Sequence, residues 1–505
     1  MLRKLFRFLS SRLVLVMVLI TVQIFVILEF FGGLPQELDI ILGLLGFFIV
    51  MHLVNSKQNQ SFSLAWVIIV LLFPGIGPLV YLLFANKKIP KGLRNLNEQT
   101  NIQAEKSLPQ DTSILDKVEN ENYSIFKQFN YVLKNASFPV YKDTHVDYYP
   151  LGEEKFENML IELEKAEKYI FLEYFIIREG VMWNSILDIL IKKVKEGVDV
   201  RVMYDDFGTI SNLPRGYSEE LESYGIKVHV FNRLRPILLV QMNNRDHRKI
   251  LSIDGKVGFL GGINIGDEYV NKLERFGHWK DSAIKLEGKA VWSLTVMFLQ
   301  FWNSVEKIKE DIEKYNPHYR VEAKGLVQPY SDSPTDGEAL GENIHLNIIN
   351  SSRKYLYIMT PYLVPSHEMT RMMILASKNG VDVRVVVPHK PDKWYVHAIT
   401  KSNYKKLIQN GIRVFEYTPG FIHSKNFLAD DIMGIVGSTN LDFRSYYLNF
   451  ESGALLYKNR AVEGLIKDFK ETFAKSIEID IEDVKNVPLH KRFLRAFIGM
   501  FSPLL

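Results

Sequence analysis

Two short stretches of this 505-residue chain carry the same reactive side chains in the same spacing. DHRKILSID supplies His247, Lys249 and Asp254, and IHSKNFLAD supplies His423, Lys425 and Asp430, each as H-x-K-x4-D. Ten residues beyond each aspartate stands an asparagine, Asn264 in GGIN and Asn440 in GSTN. Further on, DSAIKL and ESGALL set Asp281 and Glu451 at equivalent positions.

Side chains two apart on an extended strand point the same way, so each stretch would present an imidazole and an ammonium to one surface. That pair suits a phosphodiester. Imidazole can attack phosphorus or carry a proton near neutral pH, and lysine stabilises charge on the non-bridging oxygens. The small residues before Asn264 and Asn440 would let backbone approach a phosphate, and each amide adds a donor. A carboxylate behind each imidazole would fix its tautomer. Asp281 and Glu451 are the candidates, grouped with the two asparagines on the substrate side. Asp254 and Asp430 complete the catalytic motif, and bracing the strand and loop is the role favoured for them. A single H-x-K is commonly a solvated strand face. Two at equivalent positions, each followed by Asn and an acid, are not a chance arrangement. No metal and no other cofactor is expected, because the chain has no cysteine and a lysine beside each histidine would repel a cation.

The elements that must hold these residues repeat as well. KYIFLEYFII at 168–177 matches KYLYIMTPYL at 354–363, GVDVRVMYDD at 197–206 matches GVDVRVVVPH at 380–389, and YGIKVHVF at 224–231 matches NGIRVFEY at 410–417. The offsets are 186, 183 and 186 residues. Each copy reads strand, helix, strand, helix, strand, the order of a parallel sheet with crossover helices. Two homologous α/β domains are therefore expected, at 139–310 and 321–480.

Ahead of them lies a different material. Residues 13–31, 38–54 and 64–84 are apolar runs, the last broken by Pro74, Gly75, Gly77 and Pro78. The first is of membrane-crossing length behind Arg3, Lys4, Arg7 and Arg12, and it lacks the cleavage site of a signal peptide. Residues 1–85 are thus expected as a membrane anchor of two or three segments, making the chain a multi-pass protein of the cell membrane. Basic residues flank both ends of this region, which favours a cytoplasmic catalytic part if the broken third segment dips and returns. Three full crossings would place that part outside. Residues 86–138 read as a polar linker with some helix, and 485–505 as a basic amphipathic tail, lying on a membrane or packed on the domain. The net charge of +4 hides this division. Beyond residue 85 the chain holds 57 basic and 55 acidic residues, so no broad positive surface for nucleic acid is expected.

The paired HRKILSID and HSKNFLAD motifs, with GGIN and GSTN, resemble those of the phospholipase D superfamily. More closely, NRDHRKILSIDGKVGFLGGINIGDEY and GFIHSKNFLADDIMGIVGSTNLDFRSYYLNFE are similar to the bacterial cardiolipin synthases. The likeness covers nearly the whole chain, with Gly262 standing where many such motifs have Ser. It implies two sheet domains facing across a pseudo-twofold axis, with both His-Lys sets in one site. It also implies a metal-free double displacement on phosphatidylglycerol through a phosphohistidine, yielding cardiolipin and glycerol. In that scheme His247 is the nucleophile and His423 the acid and base, the reverse being the alternative. A membrane-bound hydrolase would use the same residues with water as the acceptor.

Overall fold

The computed structural model describes residues 36–56, 60–84, 102, 105–234, 243–485 and 487–500. The apolar run at 13–31 and the basic flank before it lie outside the described residues.

Three helices open the described chain: α1 (Gln36–Asn55), α2 (Gln60–Leu72) and α3 (Gly77–Phe84). The third expected segment is split at its Pro-Gly break, and α3 packs on both α1 and α2. Gly77 permits the close approach, since a Cβ there would lie 2.7 Å from the Ile69 carbonyl oxygen. Among the described residues no helix is long and apolar enough to cross a membrane. In α1, Gln36, Glu37 and Asp39 occupy the start, leaving an apolar stretch from Ile40 that rises about 22 Å, short of the ~30 Å hydrocarbon thickness. The outer surface of the unit is nonetheless apolar, with Ile40, Leu44, Phe47, Phe48, Leu71 and Leu83 exposed.

Within 86–138, expected as a polar linker with some helix, residues 112–136 are helical and packed on the second domain. They form α4 (Thr112–Glu121), capped by Asp111, and α5 (Tyr123–Ala136), capped by Asn122. Ile114, Leu115, Val118, Ile125, Phe129 and Val132 are buried at helical spacing. Gln328 of the second domain donates to the carbonyls of Phe129 (3.1 Å) and Phe138 (2.8 Å), fixing this helix pair to that domain.

The first domain has strands β1 (Thr144–Tyr149), β2 (Tyr169–Tyr174), β3 (Asp199–Asp205), β4 (Lys227–Phe231), β5 (Arg245–Asp246), β6 (Lys249–Ile253), β7 (Val257–Gly261), β8 (His278–Lys280) and β9 (Ala283–Gly288). Its sheet runs β1-β9-β7-β6-β2-β3-β4. The second domain repeats the series as β10 (Leu326–Asp332), β11 (Tyr355–Met359), β12 (Asp382–Pro388), β13 (Arg413–Tyr417), β14 (Gly420–Ile422), β15 (Asn426–Ala429), β16 (Met433–Gly437) and β17 (Asn449–Tyr457), with β18 (Ser476–Glu478) added at the edge. Its order, β10-β17-β16-β15-β11-β12-β13, is the same. The expected parallel sheet is only half of each: β2, β3 and β4 run parallel, whereas β6, β7, β9 and β1 form an antiparallel meander. The connection from β6 to β7 is too short for a crossover and can only make a hairpin.

Strands β5 and β8 leave their own sheet and pair in parallel with the other domain, β5 with β17 and β8 with β14. Helix α6 (Val291–Glu306), following β9, is buried along nearly its whole length and packs on strands of both sheets, so one apolar core runs through both domains. These reciprocal exchanges make the pair a pseudo-twofold unit.

Candidate active site

The histidines sit where the chain passes from the interdomain pairing into its own sheet. His247 follows β5 and Lys249 opens β6; His423 follows β14 and Lys425 precedes β15. Each His-x-Lys is therefore a bend between two sheets rather than part of one regular strand. Across the interface, the His247 N–H donates to the Phe450 carbonyl (2.9 Å) and the His423 N–H to the Lys280 carbonyl (2.7 Å).

The residue after each of these carbonyls supplies a carboxylate. His247 Nδ1 lies 2.9 Å from both oxygens of Glu451, and His423 Nδ1 lies 2.6 Å from Asp281 Oδ2. Both contacts cross the domain boundary, so neither domain holds a complete set. The two carboxylates are fully buried against the imidazoles. The orienting role expected of them is the one their geometry fits.

Glu451 is also held by Ser438, whose hydroxyl donates at 2.5 Å, and by the Asn449 amide at 3.1 Å. Sequence reasoning passed over both residues. Ser438 was visible as the hydroxyl that GSTN sets where GGIN has Gly262, and Asn449 lies two before Glu451 on the same strand face. In the other half Gly262 replaces Ser438, because a Cβ there would stand 2.3 Å from Asp281 Oδ1. The shorter acid sits where the serine side chain would be.

Lys249 and Lys425 each donate to the backbone carbonyl of their own motif histidine. Burial lowers Lys249 to about 7, and lowers Lys425 to about 8 while the anions of Asp281 and Glu451 oppose it. Each lysine acts on both imidazoles, which places the four groups in one electrostatic site. Burial, then Lys249 and Lys425, hold the His247 imidazole well below its usual value and therefore neutral. Burial and Lys425 lower His423 to about 4, with Asp281 opposing. Burial also raises Asp281, but His423, Lys425 and the Ser282 N–H outweigh it and keep it ionised. Glu451 is pushed by burial up to about 7 against the pull of Lys249.

Aromatic rings wall the site. Phe175 lies 5.0 Å from the His247 ring, and Tyr269, Trp279 and Phe421 surround His423 at 6.1, 5.4 and 5.8 Å. Both histidines are only 8% exposed.

The remaining motif residues work as braces. Asp254 accepts the N–H groups of Glu167, Lys168 and Tyr169, and Asp430 those of Arg353, Lys354 and Tyr355, all at 2.8–3.0 Å. Each ties the turn after its motif strand to the start of the neighbouring strand, away from the reacting groups. Asn264 is likewise spent internally, accepting the Ile176 N–H and donating to the Tyr269 hydroxyl, both at 3.1 Å. The expected amide donor to substrate is absent on that side. Asn440 differs: its backbone N–H donates to Ser445, and its buried Oδ1 has no partner among the described residues.

Comparison with known proteins agrees with this construction. The family model described as "Cardiolipin synthase, PLD-like domain" matches twice, at residues 159–285 and 345–473, and a phospholipase D-nuclease N-terminal model matches 44–86. A cardiolipin synthase 2 of Bacillus anthracis is 34% identical over 89% of this chain and 88% of its own. A cardiolipin synthase of Alkalihalophilus pseudofirmus is 32% identical over 93% and 94%, and an uncharacterized Streptococcus mutans protein 41% over 90% and 99%. In fold, the chain is similar to a phosphatidylserine synthase of Haemophilus influenzae, at a TM-score of 0.57 and 16% identity over 75% of this chain and all of that one. The chain, with its two crossed histidine–carboxylate pairs, belongs to the cardiolipin synthase family of phospholipase D-like proteins.

Proposed function

We propose that the chain makes cardiolipin by moving the phosphatidyl group of one phosphatidylglycerol onto the terminal hydroxyl of another, through a phosphohistidine on His247. The observation that carries this reading is the crossed pair of imidazoles, each oriented through Nδ1 by a carboxylate of the other domain. Nδ1 donates to the carboxylate, leaving the Nε2 lone pair of neutral His247 to attack phosphorus. The P–O bond to glycerol breaks, and the departing oxygen takes the proton of His423. His423 acquires that proton as the negative diester enters, since the added charge raises a pKa that burial had depressed. Now neutral, His423 accepts the proton of the incoming hydroxyl; the new P–O bond forms as the P–N bond to His247 breaks. Lys249 and Lys425 stabilise the non-bridging oxygens throughout.

Near-complete burial of both imidazoles and their aromatic walls favour an alcohol acceptor over water, because the covalent intermediate is short of solvent. The apolar outer surface of α1–α3 supports an N-terminal region seated in the cell membrane, and the basic flanks of that region favour a cytoplasmic site. Purified protein incubated with phosphatidylglycerol vesicles should yield cardiolipin and free glycerol by mass analysis of the products. Phosphatidic acid without cardiolipin would reassign the chain as a hydrolase.

A further inference from the structure

Near the C-terminus, α7 (Leu489–Met500) is amphipathic in the wrong sense for a helix that closes a soluble domain. Leu489, Phe493 and Phe497 recur every four residues as one stripe, and they are 80, 74 and 47% exposed. The rings of Phe493 and Phe497 stack at 6.4 Å. Leu489 and Phe493 face away from the described residues. On the other side, Arg495 is half-buried, and its charge acts on His397 and Tyr404 of the helix Trp394–Ile408, along which α7 packs. Arg492 lies exposed beside the stripe and donates to the Lys485 carbonyl, Lys491 is exposed on the same face as Arg495, and residues 487–500 contain no acid.

The supporting helix leads to the active site. Trp394 at its first position is 67% exposed, and the charge of the preceding Lys393 reaches both His247 and Asp442. Next to Asp442, the Phe443 ring stacks on Phe62 of the N-terminal helices at 5.8 Å. Trp394 next to Lys393, the α1–α3 unit through Phe62 and Phe443, and α7 through the helix Trp394–Ile408 are thus three apolar surfaces on elements that adjoin groups acting on the site. An outward apolar stripe with basic flanks matches an anionic bilayer, in which aromatic and aliphatic side chains enter the headgroup boundary while Lys and Arg meet phosphates. Tryptophan is the side chain best suited to that depth.

We propose that α7 is an interfacial helix which, together with Trp394, seats the mouth of the active site on an anionic phospholipid surface. This seating deepens the lipid-transferase reading and rests on it only for the kinetic arm of the test. The chain has no cysteine, so the full-length Phe493→Cys variant can carry a single environment-sensitive fluorophore. In phosphatidylglycerol nanodiscs containing spin-labelled lipid, that label should be quenched at least about twofold more than one at Lys467→Cys, whose side chain is 81% exposed. Equal quenching at the two sites would overturn the proposal, whether residue 493 lay in water or under a second copy of the chain. In the kinetic arm, Phe493→Glu with Phe497→Glu should slow turnover of phosphatidylglycerol vesicles about tenfold and leave turnover in detergent micelles unchanged. Equal rates for this variant and the unaltered chain on vesicles would also overturn it. Should no cardiolipin form under any condition, the quenching comparison still decides where α7 lies.

Discussion

His247 Nδ1 lies 2.9 Å from Glu451, a residue 204 positions away whose strand belongs to the other domain. His423 meets Asp281 in the same manner, 142 positions away, so each imidazole is oriented by the repeat to which it does not belong. Replacing Glu451 with Gln or Asp281 with Asn should lower kcat by about two to four orders of magnitude, as loss of the acid behind a catalytic histidine does. Near-normal steady-state rates in both variants, with circular dichroism unchanged, would remove the carboxylates from the mechanism.

Trapping separates the two histidines. With a phosphatidyl donor bearing a nitrophenol leaving group, which departs without a proton, His423→Ala should accumulate a phosphatidyl adduct on His247. Peptide mass mapping reads the position. An adduct on His423 in the His247→Ala variant, with none on His247 in the first, would reverse the roles.

The pH dependence follows from groups around His247. Glu451, raised to about 7, must be ionised to accept the hydrogen bond from Nδ1–H, so kcat/KM should fall as pH drops through that value. Lys249 and Lys425, lowered to about 7 and about 8, must stay charged, so kcat/KM should fall again as pH rises through those values. The profile is therefore a bell, and Glu451→Gln should flatten its acid limb. A profile independent of pH between 5 and 7 in the unaltered chain would contradict the assignment.

Gly262→Ser imports the residue found at the equivalent position of the other half, yet it should be harmful here. The new Cβ would stand 2.3 Å from Asp281 Oδ1, and a displaced carboxylate misplaces His423. Roughly a hundredfold loss of kcat is expected for a shift of about 1 Å. The reciprocal change, Ser438→Gly, brings no clash; it removes the hydroxyl that donates to Glu451 and accepts the Ser452 N–H, and should be milder in the same assay.

Asp254→Ala tests the brace. It removes the acceptor of three backbone N–H groups at a residue with φ of 53°, which should lower stability by about 2–4 kcal/mol in thermal unfolding. Asp254→Asn keeps an acceptor and tolerates that backbone, so most of the loss should be recovered. A severe fall in kcat of the folded Asn variant, with the melting temperature unchanged, would give Asp254 a chemical role instead.

The sequence by itself determined the reactive inventory and the duplication. Residue types at fixed spacing carry that information locally, and an offset near 186 residues reveals a second copy without any structure. It also determined that Asp281 and Glu451 were the carboxylates to watch. Several other readings turned on what each side chain meets in three dimensions. The segment at 112–136 looked like a linker because its apolar stripe is narrow, and only packing against the second domain shows it as core. The half-antiparallel sheet depended on a short turn after Asp254. The amide of Asn264 looked available until Ile176 and Tyr269 took it. Above all, tertiary structure decided the crossing. Spacing along a chain says which acid follows which histidine, but strands β5 and β8 pair with the opposite domain, and that exchange sets Glu451 under His247 and Asp281 under His423.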